Sequence, residues 1–335
     1  MNGTPFKFLL FLGDMKSILA IFVLLIASKF VMAQNDTIVL FFDRSWKESD
    51  PDFAYYFAVA VKSGNYWERV DFYNNTKKVY MKGYFEDSTF KTKTGPFNYY
   101  QEDGKLKSKG SYLNDKRVGL WRSWHDNGKI QDSGYYNENG IPYGIVIGWH
   151  HSGGVSDSMI LDKEGNGIKI NYYENGAVRY KGPIAKGMQQ GSFTYYRADG
   201  TKCQEASFDV DSVINYTCFT ENGTLQQKDC YYEKESEFPG GEEGWKKYLI
   251  NAMSKHLPKE YFNGDFGGTV NVQFIVDVEG KVTNIAIRNS TEPRLNDAAL
   301  KIIKYSPKWI PAIQFNQKVK SYKIQPLVFK KSVEG

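Results

Sequence analysis

The sequence predicts a mainly β protein with an α+β end: an antiparallel β-hairpin repeat meander followed by a small α-β-β-α-β sandwich. Three observations predict it. Aromatic residues make up 16% of the chain, with 24 Tyr, 22 Phe and 7 Trp, and 31 Gly interrupt them; aromatics suit pleated sheets and glycines suit tight turns. Glycines recur at Gly104, Gly128, Gly153, Gly176, Gly200 and Gly223, with spacings of 24, 25, 23, 24 and 23. After Glu237-Phe238-Pro239-Gly240-Gly241 this period stops and helical spacing begins.

Taken in order, residues 1–33 read as a signal peptide. Lys16 precedes an apolar run from Ile18 to Ala27, and Val31-Met32-Ala33 offers small side chains for cleavage before Gln34. Met15 is a second candidate start, because Phe6–Leu12 adds an apolar stretch that a signal peptide does not need. The rival reading is an uncleaved inner-membrane anchor, but the run is shorter than the ~20 residues that span a bilayer and Lys29 interrupts its end. No Cys stands near the cleavage site, so the lipoprotein route is not supported. The expected location is the periplasm or cell envelope.

Removing three Lys and one Asp with that segment lowers the net charge from +5 to +3. Residues 237–335 hold 15 basic and 10 acidic residues, so the excess sits at the C-terminal end. This bias fits an acidic or membrane-proximal partner and falls short of a nucleic-acid signature; export also argues against nucleic acid.

Residues 34–236 read as the repeat domain. Each turn glycine follows an aromatic strand, as Trp124 precedes Asn127-Gly128 and Tyr172-Tyr173 precede Asn175-Gly176. Asn-Gly and Asp-Gly suit the type I′ hairpin turn, whose two central residues need φ > 0. A second series, Gly95, Gly119, Gly144, Gly167 and Gly191, runs in register and predicts a second turn per unit. Each unit is then two strands of roughly 6–8 residues that neighbours must cover, which is why such units come in arrays. Residues 71–84 read as a degenerate first repeat, with Thr76 in the place of the turn glycine. Repeat aromatics pack across strands or form an exposed strip for sugar, peptide or lipid.

The stretch Gly119-Leu120-Trp121-Arg122-Ser123-Trp124-His125-Asp126-Asn127-Gly128-Lys129-Ile130 resembles the MORN-repeat variant of bacterial proteins. Phe41-Phe42-Asp43 with Trp46-Lys47, then Ala54-Tyr55-Tyr56, resembles the lead-in of such arrays in exported envelope proteins. The resemblance covers about residues 38–232 and implies a scaffold or binding surface without a shared ligand.

Residues 237–335 read as a second domain. Trp245, Leu249, Met253 and Leu257 have helical spacing and Pro258 ends the helix. Val270, Val272, Phe274 and Val276 alternate as a half-buried strand, Asp277–Lys281 turns, and Val282 to Ile287 returns. Leu295, Ala298, Ala299, Ile302 and Ile303 form one apolar helical face. A last strand runs from Val319 to Phe329.

Phe238-Pro239-Gly240-Gly241, Gly268-Thr269-Val270, Phe274-Ile275-Val276-Asp277, Gly280-Lys281-Val282, Pro307-Lys308-Trp309-Ile310-Pro311-Ala312 and Pro326-Leu327-Val328-Phe329 resemble a TonB C-terminal domain. The resemblance implies a periplasmic domain that grips an extended peptide of an outer-membrane receptor by adding it as a strand to a sheet edge. Carried over, the peptide-binding edge is Lys318, Val319, Lys320, Ser321, Tyr322, Lys323 and Ile324, with Lys318 and Lys320 favouring an acidic peptide. Pro326 lacks a ladder donor and suits an edge strand. The chain departs from that family's energy transducers: its apolar N-terminal segment has no His, and a repeat array replaces the Pro-rich charged spacer. The alternative function is a non-transducing envelope scaffold or adaptor whose repeats bind a protein or glycan.

No constellation for catalysis, cofactor or metal binding emerges, and the reading is non-enzymatic. No phosphate loop, nucleophile elbow or HExxH occurs. Adjacent strand residues point to opposite faces, so His150-His151 cannot chelate one ion together. His256 lies at a helix C-terminus, which favours its charged form. For Cys203, Cys218 and Cys230 two readings stand: buried thiols, or a Cys203–Cys218 bridge if the turn after Phe208 centres on Val210-Asp211.

Overall fold

Alternating aromatics and glycines fold as the period demands. The computed structural model describes residues 37–263 and 266–330; the segment read as a signal peptide lies outside them. The chain divides into two compact units, one ending at Lys105 and one beginning at Leu106.

In the first unit β1 (Thr37–Phe42), β2 (Tyr56–Ser63), β3 (Tyr66–Tyr73), β4 (Val79–Phe85) and β5 (Lys93–Tyr100) pair antiparallel in sequence order. Ala58, Ala60, Met81, Phe85 and Phe97 are buried, and the Arg69–Asp71 ion pair is buried with them, Nε to Oδ1 2.7 Å. The degenerate repeat turns at Lys77, φ 57°, rather than at Thr76. The αL position lies one residue later than the spacing suggested, and a lysine occupies it.

The second unit continues as a meander: β6 (Leu106–Leu113), β7 (Lys116–Trp124), β8 (Ile130–Tyr136), β9 (Pro142–Trp149), β10 (Val155–Leu161), β11 (Gly167–Tyr172), β12 (Val178–Ala185), β13 (Met188–Gln189), β14 (Gly191–Tyr196), β15 (Lys202–Asp209), β16 (Ser212–Phe219) and β17 (Leu225–Gln226). β6 to β12 pair antiparallel in this order, β13 and β14 both pair with β12 as two parts of one interrupted strand, and β14 to β17 again pair in order. Its core gathers Leu161, Ile184, Phe193, Tyr195, Cys203, Ala206 and Phe208.

Two expectations about the turns are corrected. The Asn-Gly and Asp-Gly tips are not type I′. At Gly128 the glycine has φ 82° while Asn127 stays out of the positive region; Gly128 N–H bonds to His125 O at 3.0 Å and His125 N–H to Lys129 O at 2.9 Å. That is a type I turn closed by an αL glycine. True type I′ pairs occur at the other end of the hairpins, at Asn114-Asp115, Lys186-Gly187 and Val210-Asp211. In the second glycine series Gly95, Gly119, Gly144 and Gly191 have positive φ and mark strand irregularities rather than turn tips, while Gly167 has no positive φ and simply opens β11. Gly119, φ 65°, lies within β7, where the register shifts opposite Gly110.

At Gly119 and Gly191 the irregularity seats an aromatic. The residue two places after the bulge glycine lies flat on a glycine of the neighbouring strand: Trp121 on Gly110 and Phe193 on Gly182, with no room for a Cβ at either glycine. Trp121 is 2% exposed and its indole N–H donates to Ser111 O at 2.9 Å.

After β18 (Glu233–Lys234), the chain forms α1 (Gly241–His256), β19 (Gly268–Val276), β20 (Val282–Ser290), α2 (Asn296–Lys304), β21 (Ala312–Gln314), β22 (Gln317–Val319) and β23 (Ser321–Phe329). The main sheet has the order β20-β19-β23, and β18-β21-β22 form a second small sheet. Val270, Val272, Phe274 and Val276 pack beneath Leu295, Ala299, Ile302 and Ile303 and against α1. Tyr248 O–H ties α1 to α2 by donating to Ile302 O at 2.6 Å. The predicted α-β-β-α-β order is present with one addition, the β21–β22 hairpin, so the last strand starts at Ser321 instead of Val319.

Candidate peptide-binding edge and the hairpin beside it

β23 pairs with β19 along its full length, from Ser321↔Val276 to Phe329↔Gly268, and ends the sheet. Its alternation explains its two faces. Leu327 and Phe329 turn into the core, while Tyr322, Ile324 and Val328 stand 57%, 38% and 56% exposed. A strand with one unpaired side and apolar outward residues is a template for another strand. Tyr322 O–H donates to Gln273 Oε1 on the neighbouring β19 at 2.6 Å, which holds the ring on the β19 side of the strand.

The predicted edge residues do not form one strand. Lys318 and Val319 belong to β22, Lys320 lies between the two strands, and Ser321, Tyr322, Lys323 and Ile324 open β23. Lys318 and Lys320 are exposed. Lys323 is turned to the inner side, where its ammonium donates to Ser236 O at 2.7 Å and lies 5.7 Å from the Trp309 ring centroid. The break arises from a type I′ turn at Phe315-Asn316, φ 52° and 58°, that carries no glycine to announce it.

This hairpin tip packs, half-buried, against the last repeats, and nothing in the residue pattern announces it. Phe315 stacks on Tyr195 at 4.2 Å between centroids and meets Tyr232 edge-on at 5.3 Å. Asn316 Nδ2 donates to Phe219 O at 3.2 Å and Gln226 Oε1 at 3.0 Å. Gln317 Nε2 donates to Tyr173 Oη at 3.1 Å and lies 3.3 Å from Cys203 Sγ. Arg179 donates to Gln314 Oε1 at 3.0 Å. Burial among these rings pushes the Tyr195 hydroxyl well above its ordinary value.

The cysteine pairing is corrected. Cys218 bonds to Cys230, with Cα atoms 5.5 Å apart, and Cys203 is a buried thiol. The turn does centre on Val210-Asp211, and Phe208↔Val213 follows from it. The register then shifts and Ser207 pairs with Asn215, leaving Ile214 as an extra residue. That bulge sets Gln204 opposite Cys218 and turns Cys203 to the other face. Burial pushes the Cys203 thiol up to about 11.

The histidines serve the repeats. A ring nitrogen of His125 lies 2.9 Å from Trp149 O, and one of His150 lies 3.1 Å from Tyr172 O. Tyr173 and Arg197 hold the same place in later repeats and donate to Tyr196 O and Phe219 O at 2.8 and 2.7 Å. Each side chain therefore ties one turn to the next. His151 Nε2 lies 2.6 Å from Asp126 Oδ1. His256 departs from expectation: burial lowers its pKa, and Lys255 and Lys301 add to the effect against the weaker pull of Asp297. Among the described residues no group of three or more His, Cys, Asp or Glu could hold a metal ion.

An array of stacked hairpins joined to a small α/β module, whose three-stranded sheet ends on β20 and β23, defines a repeat protein with an α+β domain. Residues 254–330 match the family described as Gram-negative bacterial TonB protein C-terminal, and residues 93–114 and 117–138 each match the MORN repeat variant. The chain thus carries both kinds of module that its sequence resembles, and neither family is a catalytic one. No curated protein matches the chain. Two solved structures are similar over part of it. TarM is 14% identical, with 38% of this chain and 21% of that chain covered and a TM-score of 0.17. A mutant of S. aureus TarM in complex with Fondaparinux, alpha-GlcNAc-glycerol and UDP is 13% identical, with 44% and 21% covered and a TM-score of 0.16. The chain spans about a fifth of the length of each, and likeness at this level carries no argument.

Proposed function

We propose that this is a non-enzymatic, TonB-like protein of the periplasm that binds an extended peptide of an outer-membrane receptor by β-augmentation, in TonB-dependent transmembrane transport. The observation that carries the reading is β23, a nine-residue strand paired on one side only, within a segment matching the TonB C-terminal family. Lys318, Val319 and Lys320 lead the peptide in, and Ser321, Tyr322, Lys323 and Ile324 open the edge it joins. Residues 34–236 act as spacer or docking surface and 237–335 as the grip, after export directed by residues 1–33. Immobilised mature protein should recover an outer-membrane receptor from envelope extract; recovery of none contradicts the reading.

The second reading is an envelope scaffold or adaptor whose repeats bind a protein or glycan. The β21–β22 tip packed on the last repeats favours it, since it makes the C-terminal module an assembly piece seated on the array. Deleting residues 237–335 separates the two, because ligand capture survives only under the second.

A further inference from the structure

The tip Gln314–Gln317 sits in a socket whose back wall is two residues, Tyr231 and Tyr232. Phe315 N–H bonds to Tyr232 O at 2.7 Å and Asn316 N–H to Tyr231 O at 3.1 Å. The wall belongs to no long strand: β17 has two residues and β18 has two. It is tied to the array by Gln204 Nε2, which donates to Tyr231 O at 3.0 Å, and by Cys230, the preceding residue, bonded to Cys218 on β16. The same Gln204 Nε2 lies 3.4 Å from Cys218 Sγ, so the bridge and the wall share one anchor.

We infer that the end of the array is a docking surface for the chain's own β21–β22 tip, and that the Cys218–Cys230 bridge locks this surface in its receiving form. With the bridge closed, Tyr231 and Tyr232 stand where they pair with the tip and Tyr195 stacks on Phe315. With it open, the wall loses its cross-link to β16, and the wall and the tip that pairs with it through β18 and β21 loosen from the array together. A dithiol such as dithiothreitol opens it by two exchange steps. The Sγ–Sγ bond breaks, two electrons and two protons pass to Cys218 and Cys230, and the reductant closes to its cyclic disulfide. Only Lys320 separates β22 from β23, so release of the tip also frees the start of the open edge. The inference stands whatever β23 binds.

Hydrogen exchange on the mature chain tests it, read at 312–319, with 270–276 of β19 and 119–136 of β7 and β8 as references. The oxidised protein should protect 312–319. Dithiothreitol, or Cys230→Ser, should speed exchange there about tenfold or more and leave both references unchanged. Unchanged exchange at 312–319 overturns the inference, and so does equal acceleration in all three regions, which would assign the bridge to the fold as a whole. Phe315→Ala with the bridge intact should give the same local acceleration; exchange at the wild-type rate would mean that Phe315 does not seat the tip.

Discussion

A methyl group on Gly110 would stand inside the Trp121 indole, and one on Gly182 inside the Phe193 ring. Both rings are buried, so neither can swing away without opening the core. Gly110→Ala should therefore cost about 2–3 kcal/mol, read as a lowered urea midpoint at unchanged slope; a cost within about 0.5 kcal/mol, usual for surface changes, would contradict the packing. Asp71 gives a second test. Burial raises its carboxyl to about 6 against the pull of Arg69 and, more weakly, of Lys93. A raised carboxyl pKa means stability present at low pH and lost as pH rises through about 6. Asp71→Asn mimics the neutral form, so its stability should gain on wild type between pH 5 and pH 7, checked by parallel denaturant titrations. A constant difference across that range would show that Asp71 does not titrate there.

At the level of elements, the period was legible because it rests on residue types that turns demand. Helices at 241–256 and 296–304 were legible for the same kind of reason, since apolar spacing and Pro258 mark them. What escaped has physical causes too. Four of the five glycines read as turns, Gly95, Gly119, Gly144 and Gly191, sit at strand irregularities instead, because both conformations need φ > 0 and composition cannot tell them apart. The series Gly83, Gly110 and Gly182 was the available signal for the aromatic seats. The Cys203 register failed by one residue at Ile214, and one residue reverses a face. The Phe315-Asn316 turn has no glycine, so β22 and β23 read as one strand. The edge proposed for peptide binding yields a prediction: Lys318→Glu with Lys320→Glu should weaken binding of an acidic extended peptide about tenfold at low salt, and less as salt rises. Titration at two ionic strengths checks this; equal affinity of variant and wild type at low salt would remove both lysines from the site.

For the molecule as a whole, two module types account for the sequence, and their combination sets the functional question. The repeats supply a surface in which each turn is tied to the next by His125, His150, Tyr173 and Arg197. The C-terminal module supplies an open strand and a tip that seats on the last repeats. Export is part of the account, and N-terminal sequencing of the secreted form should give Gln34 as its first residue; retention of Met1 or Met15 in the membrane would return the segment to the role of an anchor. The central claim is strand addition at β23. The most direct measurement is backbone amide NMR of the mature protein titrated with a peptide from an outer-membrane receptor. The account predicts slowed exchange and shifted amides confined to Ser321–Val328 and their β19 partners, whereas binding that leaves β23 unchanged and shifts the repeats would contradict it.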